Sequence, residues 1–291
     1  MTQRLAFTHR RVRRLRGLLQ KRSARWSERA FVAEGAELIR TALDGGVPVE
    51  SVYVSPDGGE DPATQEVCRR ATAAGARIFP LAPGVLERVA DTVTPQPVIA
   101  VLPMLVDTDT DALADDAPWS PDPGALVVVL VDVRDPGNAG TVLRAADAAG
   151  ATAVVFAAES VDPYNPKTVR ASAGSIFHVP FMVRPDPATL AAGFTAAGFR
   201  TLATVVRDGA DYAGLDWSVP TAVFFGNESS GLDPALSARL DGAVAIPMAG
   251  RAESLNVGVA SAVVAFEAFR QRRGGGPGPR SISGTAEETT W

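Results

Sequence analysis

Ala125-Leu126-Val127-Val128-Val129-Leu130-Val131 is an unbroken apolar run, and Asp132-Val133-Arg134-Asp135-Pro136-Gly137-Asn138-Ala139-Gly140-Thr141-Val142-Leu143-Arg144-Ala145-Ala146 follows it directly. A strand that is apolar on both faces is buried on both, which is the mark of a parallel sheet clad with helices. The residues after it change to helical spacing, predicting a helix over Ala139–Ala149. The same alternation continues downstream. Further strands are predicted at Ala153–Phe156, Val179–Val183, Arg200–Val205, Ala222–Phe225 and Ala243–Ile246, and helices at Pro187–Ala197, Pro234–Leu240 and Ser254–Gln271. The fold class expected for residues 123–273 is therefore α/β with a mostly parallel sheet.

Upstream, residues 1–103 read as a smaller α/β domain. A basic helix leads into a helix over Ala36–Leu43, a strand over Val49–Val54, a helix over Pro62–Ala74 and strands at Arg77–Phe79 and Val98–Leu102. Pro97 and Pro103 bracket the last strand, as at a sheet edge or a domain exit. Residues 104–122 hold six Asp and no basic side chain, and are expected to be an acidic linker. The tail, 274–291, opens with Gly-Gly-Gly-Pro-Gly-Pro and is expected to be disordered.

Length agrees with two domains, since 291 residues is about twice the ~150 of a typical domain. One cysteine and two histidines exclude a disulfide framework and leave no set of ligands for a structural metal. No apolar run approaches the ~20 residues of a membrane span, and no secretory leader is evident, so the expected location is the cytoplasm. Charge is divided unevenly. Residues 1–40 carry eleven Arg and Lys against three Glu, within a chain of formal net charge −5. Ten of those eleven are arginines, whose forked guanidinium suits phosphate. The segment is either a solvated basic surface or a grip on a polyanion.

Ligands of open α/β sheets bind beyond the carboxyl ends of the strands, and three predicted strand ends carry unusual residues. After the first strand, Gly137 and Asn138 permit a tight turn with positive φ, and the helix start beyond offers free N–H groups. Arg144 projects one turn into that helix. The second tip is Gly226-Asn227-Glu228-Ser229-Ser230-Gly231-Leu232, where Glu228 is either a helix cap or a site acid. The third runs from Ile246-Pro247-Met248 to Ser254-Leu255-Asn256-Val257. Ser254 reads as the N-cap of the last helix and Asn256 falls in its first turn. Leu255, Val259, Val263, Phe266 and Phe269 form a stripe expected to pack inward. A dinucleotide oxidoreductase fits poorly, because the glycine fingerprint with its ribose-binding acid is missing.

Asn138-x-Gly140-x-x-x-Arg144, Gly226-Asn227-Glu228-x-x-Gly231-Leu232 and Ile246-Pro247-Met248 with Ser254-Leu255-Asn256-Val257 resemble the three motifs of the SpoU/TrmH group of SPOUT methyltransferases. The resemblance spans about residues 123–271. The basic first domain is similar, more loosely, to that group's RNA-substrate-binding domain. The resemblance implies an S-adenosyl-L-methionine-dependent methyltransferase acting on ribose 2′-hydroxyls of RNA, 23S rRNA before tRNA. It also implies a deep trefoil knot, and a homodimer formed through the C-terminal domain with the active site near the interface. Carried over, the cofactor-binding positions are Thr204, Gly226, Asn227, Ile246, Met248, Ser254 and Leu255. The catalytic group is Arg144, with Asn138, Glu228, Ser254 and Asn256 completing the site and Asn138 fixing the Arg144 loop. A guanidinium is effectively never deprotonated in a protein, so the part expected of Arg144 is to bind a phosphate beside the ribose and steady the developing oxygen charge. Arg11, Arg13, Arg14, Arg22 and Arg29 are expected on the RNA, as is Arg170 from a loop over Lys167–Gly174. The competing readings are a tRNA ribose methyltransferase and a non-catalytic RNA-binding protein of the same fold.

Overall fold

The computed structural model describes residues 4–90, 94–105, 120–184 and 186–274. The basic segment forms two helices, α1 (Arg10–Gln20) and α2 (Arg22–Glu28), where one was expected. Extended backbone at Lys21 (φ −122°) separates them, and Arg29, left-handed at φ +50°, ends the second. Neither is a detachable arm, because Val12, Leu15 and Leu18 are fully buried. There follow β1 (Ala30–Glu34), α3 (Ala36–Asp44), β2 (Ser51–Val54), α4 (Pro62–Ala73), β3 (Arg77–Pro80), α5 (Val85–Val89) and β4 (Val98–Pro103). They build a four-stranded sheet of order β1-β4-β2-β3. β4 lies inside this sheet, antiparallel to both β1 and β2, so the flanking prolines do not mark an edge. Most of the expected acidic linker (106–119) and the tail from 275 fall outside the described residues.

The second half contains β5 (Leu126–Val131), α6 (Pro136–Ala148), β6 (Ala153–Ala157), α7 (Pro166–Ala171), β7 (Phe181–Arg184), α8 (Pro187–Ala196), β8 (Arg200–Val205), β9 (Ala210–Asp211), β10 (Thr221–Phe225), α9 (Pro234–Ser237), β11 (Gly242–Ala245) and α10 (Val257–Gly274). All seven strands run parallel in the order β7-β6-β5-β10-β8-β11-β9. Along β5, Leu126, Val128 and Leu130 point into one core while Val127, Val129 and Val131 point into another. Both faces are covered, which is why the strand reads as continuously apolar.

Two local expectations change. Gly137 and Asn138 do not make a positive-φ turn: α6 starts at Pro136, with the Asp135 carboxylate accepting the Asn138 N–H at 2.9 Å. The Lys167–Gly174 stretch is not a loop, for Asn165 caps α7 within it. Gly140 lets these helices touch, since a Cβ there would lie 2.4 Å from Ala171 Cβ and 2.7 Å from the Thr168 carbonyl.

The two sheets share one apolar core, which runs from Phe31, Ile39 and Leu102 to Leu143, Phe156 and Val264. Tyr164 sits at the junction, its ring 4.8 Å from that of Phe31 and 5.6 Å from that of Phe181, while its hydroxyl accepts the Leu105 N–H at 2.9 Å. Beside it is a buried ion pair, with both side chains only 3% exposed: Arg25 donates to Asp162 at 2.7 Å and to the Leu18 carbonyl at 2.8 Å. The other Asp162 oxygen accepts the Tyr164 N–H at 3.0 Å. A second tie joins Arg170 of α7 to Glu34 of β1 at 2.8 Å. Removing one member of a buried pair leaves an uncompensated charge in the interior. Arg25→Met is therefore expected to lower the unfolding free energy by roughly 3–5 kcal/mol, read from denaturant midpoints, and the Arg25→Met, Asp162→Asn double variant to regain much of the loss.

Candidate active site

A cavity of about 1070 Å³ opens beyond the carboxyl ends of β5, β8, β10 and β11. Its loops are held together by one chain of hydrogen bonds. Asn256 caps α10, its Oδ1 accepting the N–H groups of Gly258 at 2.9 Å and Val259 at 3.3 Å. Its amide donates at 2.7 Å to Asn138 Oδ1. The Asn138 amide in turn donates at 2.9 Å to Glu228 Oε1. Glu228 closes the chain by accepting the backbone N–H groups of Asp135 at 3.1 Å and Arg134 at 3.3 Å. The three tips singled out in the sequence thus meet at these three side chains.

Burial alone would raise the Glu228 carboxyl, but the Asn138 amide and the backbone N–H groups around it outweigh that and hold it below the usual carboxylate range. Its ionised form is the one the fold favours. Asn227 braces the second tip: it donates to the Asp132 carbonyl at 2.8 Å and accepts the N–H groups of Ser229 at 3.0 Å and Ser230 at 3.2 Å. Gly226 serves loop closure rather than ligand approach, because a Cβ would fall 2.2 Å from the Gly231 carbonyl carbon. Asp132, at the first tip, holds a left-handed φ of +57°.

All the residues expected to hold the cofactor line this cavity, as do Asn138, Glu228 and Asn256. Their contacts differ from expectation in several places. Thr204 spends its hydroxyl on the Phe224 carbonyl at 3.0 Å. Asn138 fixes Glu228 and Asn256 instead of the Arg144 loop. Ser254 lies in the exposed approach to α10 and caps nothing, because the helix begins at Val257. Arg144 is exposed on α6, outside the cavity lining and without an ion pair among the described residues. Sequence reasoning missed Ala260 and Val264 in the wall; both lie at helical spacing from Asn256, and that periodicity is the signal that finds them.

Of the arginines expected on RNA, Arg13 is exposed, Arg11 lies 4.4 Å over the Phe79 ring and Arg22 lies 5.6 Å over Trp26. Arg29 forms the left-handed turn after α2. Two are engaged within the fold. Arg14 is tied to Glu28 and forked onto Glu50 at 2.6 and 2.9 Å, and Arg170 pairs with Glu34 at 2.8 Å.

The residues present suit S-adenosylmethionine. Val244, Ile246, Met248 and Leu255 offer apolar surface to a flat base, while Asp132, Glu228, Ser229 and Ser230 offer oxygen to hydroxyl, ammonium and sulfonium groups. The volume is at the upper end of the ~300–1,000 Å³ usual for ligand pockets. A parallel sheet with such a cavity at its strand ends defines an α/β protein with a ligand site of the size and lining that a nucleoside-bearing cofactor needs. Residues 125–266 match the SpoU rRNA Methylase family and residues 9–100 the MRM3-like substrate binding domain. The 23S rRNA (guanosine(2553)-2′-O)-methyltransferase RlmP of Bacillus subtilis is 34% identical over 249 residues, 85% of this chain and 92% of that protein. The tRNA (guanosine(18)-2′-O)-methyltransferase of Thermus thermophilus is 41% identical over 150 residues, 50% of this chain and 75% of its own. The crystal structure of an AdoMet-bound rRNA methyltransferase from Sinorhizobium meliloti superposes with a TM-score of 0.78 at 32% identity, covering 93% of this chain and 97% of that one. The chain belongs to the SpoU rRNA methylase family.

A carboxyl group held low by the fold stabilises the protein above the ordinary glutamate range, and that stability is lost as pH falls through the lowered value. Glu228→Gln should melt below the wild type at neutral pH. The gap between the two melting temperatures should close as pH falls below about 4.3.

Proposed function

We propose that this protein methylates a ribose 2′-hydroxyl of 23S rRNA in the cytoplasm, as a homodimer with a trefoil-knotted C-terminal domain. The observation that carries the reading is the convergence of Asn138, Glu228 and Asn256 at the mouth of one cavity. Ribosomal RNA is favoured because a relative whose name specifies 23S rRNA aligns with both halves of this chain, whereas the tRNA-modifying relative aligns with 50% of it.

Bound S-adenosylmethionine supplies an electrophilic methyl on a sulfonium. The protein's task is to hold the hydroxyl in line with it, which is chiefly orientation. Glu228, whose carboxylate binds protons weakly, orients rather than deprotonates. Arg144 steadies the negative charge gathering on the oxygen. The methyl carbon would part from the sulfonium sulfur, leaving a neutral thioether, as it bonds the ribose oxygen, and the hydroxyl proton, made acidic by that bond, would pass to water. Because Arg144 stands outside the cavity wall, the RNA or a second protomer must bring the ribose and this guanidinium together.

α10 supports the dimer. Its inward face is Val257, Ser261, Val264, Ala265 and Ala268, whereas much of the stripe expected to pack inward faces out: Val259 is 47% exposed, Phe266 46% and Leu255 36%. A two-fold axis would cover such a face with its own copy. Val259→Asp with Phe266→Asp should shift the protein from dimer to monomer in sedimentation, and unchanged dimer mass would refute this interface.

Mapping 2′-O-methyl sites in total RNA from cells with and without the protein tests the activity. One 23S position should lose its mark and regain it on complementation, whereas loss at a tRNA position would reassign the substrate. Complementation with Arg144→Ala should fail, the purified variant turning over about 10²–10³-fold more slowly while still binding cofactor.

A further inference from the structure

The charged side chains lining the cavity are three carboxylates, Asp132, Asp135 and Glu228, and a single guanidinium, that of Arg134. A ribose in RNA has a phosphate on the carbon next to its 2′-hydroxyl, so no target can enter without bringing that anion to the mouth. Three carboxylates there repel it. Arg134 is placed to answer this. Its side chain is 67% exposed and uses one donor, Nε, on Asp132 Oδ1 at 2.9 Å. Its backbone N–H is held by Glu228, so the loop stays in place whatever side chain position 134 carries. Lys167 of α7 adds a second exposed cation beside that loop, 3.5 Å from Asp135. Exposed ion pairs contribute little to stability and are readily exchanged, and a planar guanidinium matches phosphate oxygens two at a time.

We propose that Arg134 is a positioning residue for the RNA: its guanidinium leaves Asp132 for the phosphate on the 3′ side of the target ribose and so sets the 2′-hydroxyl over the cavity. Lys167 lends a weaker contact to the same backbone. The inference rests on the RNA reading above and adds the residue that seats the substrate.

The test uses the full chain, rRNA extracted from cells lacking the protein, and labelled S-adenosylmethionine. Arg134→Gln should raise KM for rRNA about tenfold with a smaller change in kcat, and should reduce the slope of log affinity against log salt by about 1. Cofactor Kd should stay within about twofold, since the substitution removes a phosphate contact and spares the cavity walls. Arg134→Lys should recover part of the affinity by keeping the charge without the fork. Unchanged KM and salt slope would overturn the proposal. So would a raised cofactor Kd with an unchanged salt slope, which would make Arg134 part of the cofactor site. A wild-type protein that labels no RNA would instead overturn the substrate reading itself, and this inference with it.

Discussion

The site depends on a relay of two amides and one carboxylate. Asn138 is its centre because an amide donates and accepts at once: its oxygen takes the Asn256 donor while its nitrogen serves Glu228. An aspartate there would lack the donor, and a leucine would lack both. The residues joined are 118 and 90 positions apart in sequence. The second and third loops are largely exposed, and neither has a core of its own. What fixes their mutual geometry is this relay, together with the Asn227 brace onto the Asp132 carbonyl. Ionisation of Glu228 strengthens it, because a charged acceptor binds N–H donors more tightly than a neutral one.

Much of this was legible in the sequence for a physical reason. Strands covered on both faces cannot hide their apolar continuity, so β5, β6, β8 and β10 could be read to within a residue or two. The three polar tips could be read because strand ends rich in Gly, Asn and Glu are rarely idle. Other features had no local signal. β1 is five residues beside a basic segment and α7 is six residues behind a proline, too short for either period to register. Gly140 falls inside a predicted helix, and only the approach of α7 reveals what its missing side chain is for. The stripe read along α10 had the right spacing for burial, but Val259 and Phe266 sit on the outer face, because periodicity finds an apolar face without saying what covers it.

Charge is finer-grained than its count along the chain. The eleven basic residues at the start, read as either a solvated surface or a grip on a polyanion, divide by partner. Arg25 is interior, Arg14 is committed to two glutamates, and Arg11 and Arg22 lie over aromatic rings. Arg10, Arg13 and Lys21 remain exposed to whatever approaches α1 and its neighbour. Counting charges along a chain overstates the field, since a carboxylate beside an arginine offsets its charge.

The shared core has a geometric consequence. Phe31, Tyr164 and the Arg25–Asp162 pair weld the two sheets, so the span between the helices at the front of the chain and the cavity at the back is a constant of the molecule. A polymer touching both must offer its contact point and its reactive sugar at that one separation. For a ligand long enough to reach both, that separation would act as the gap of a caliper.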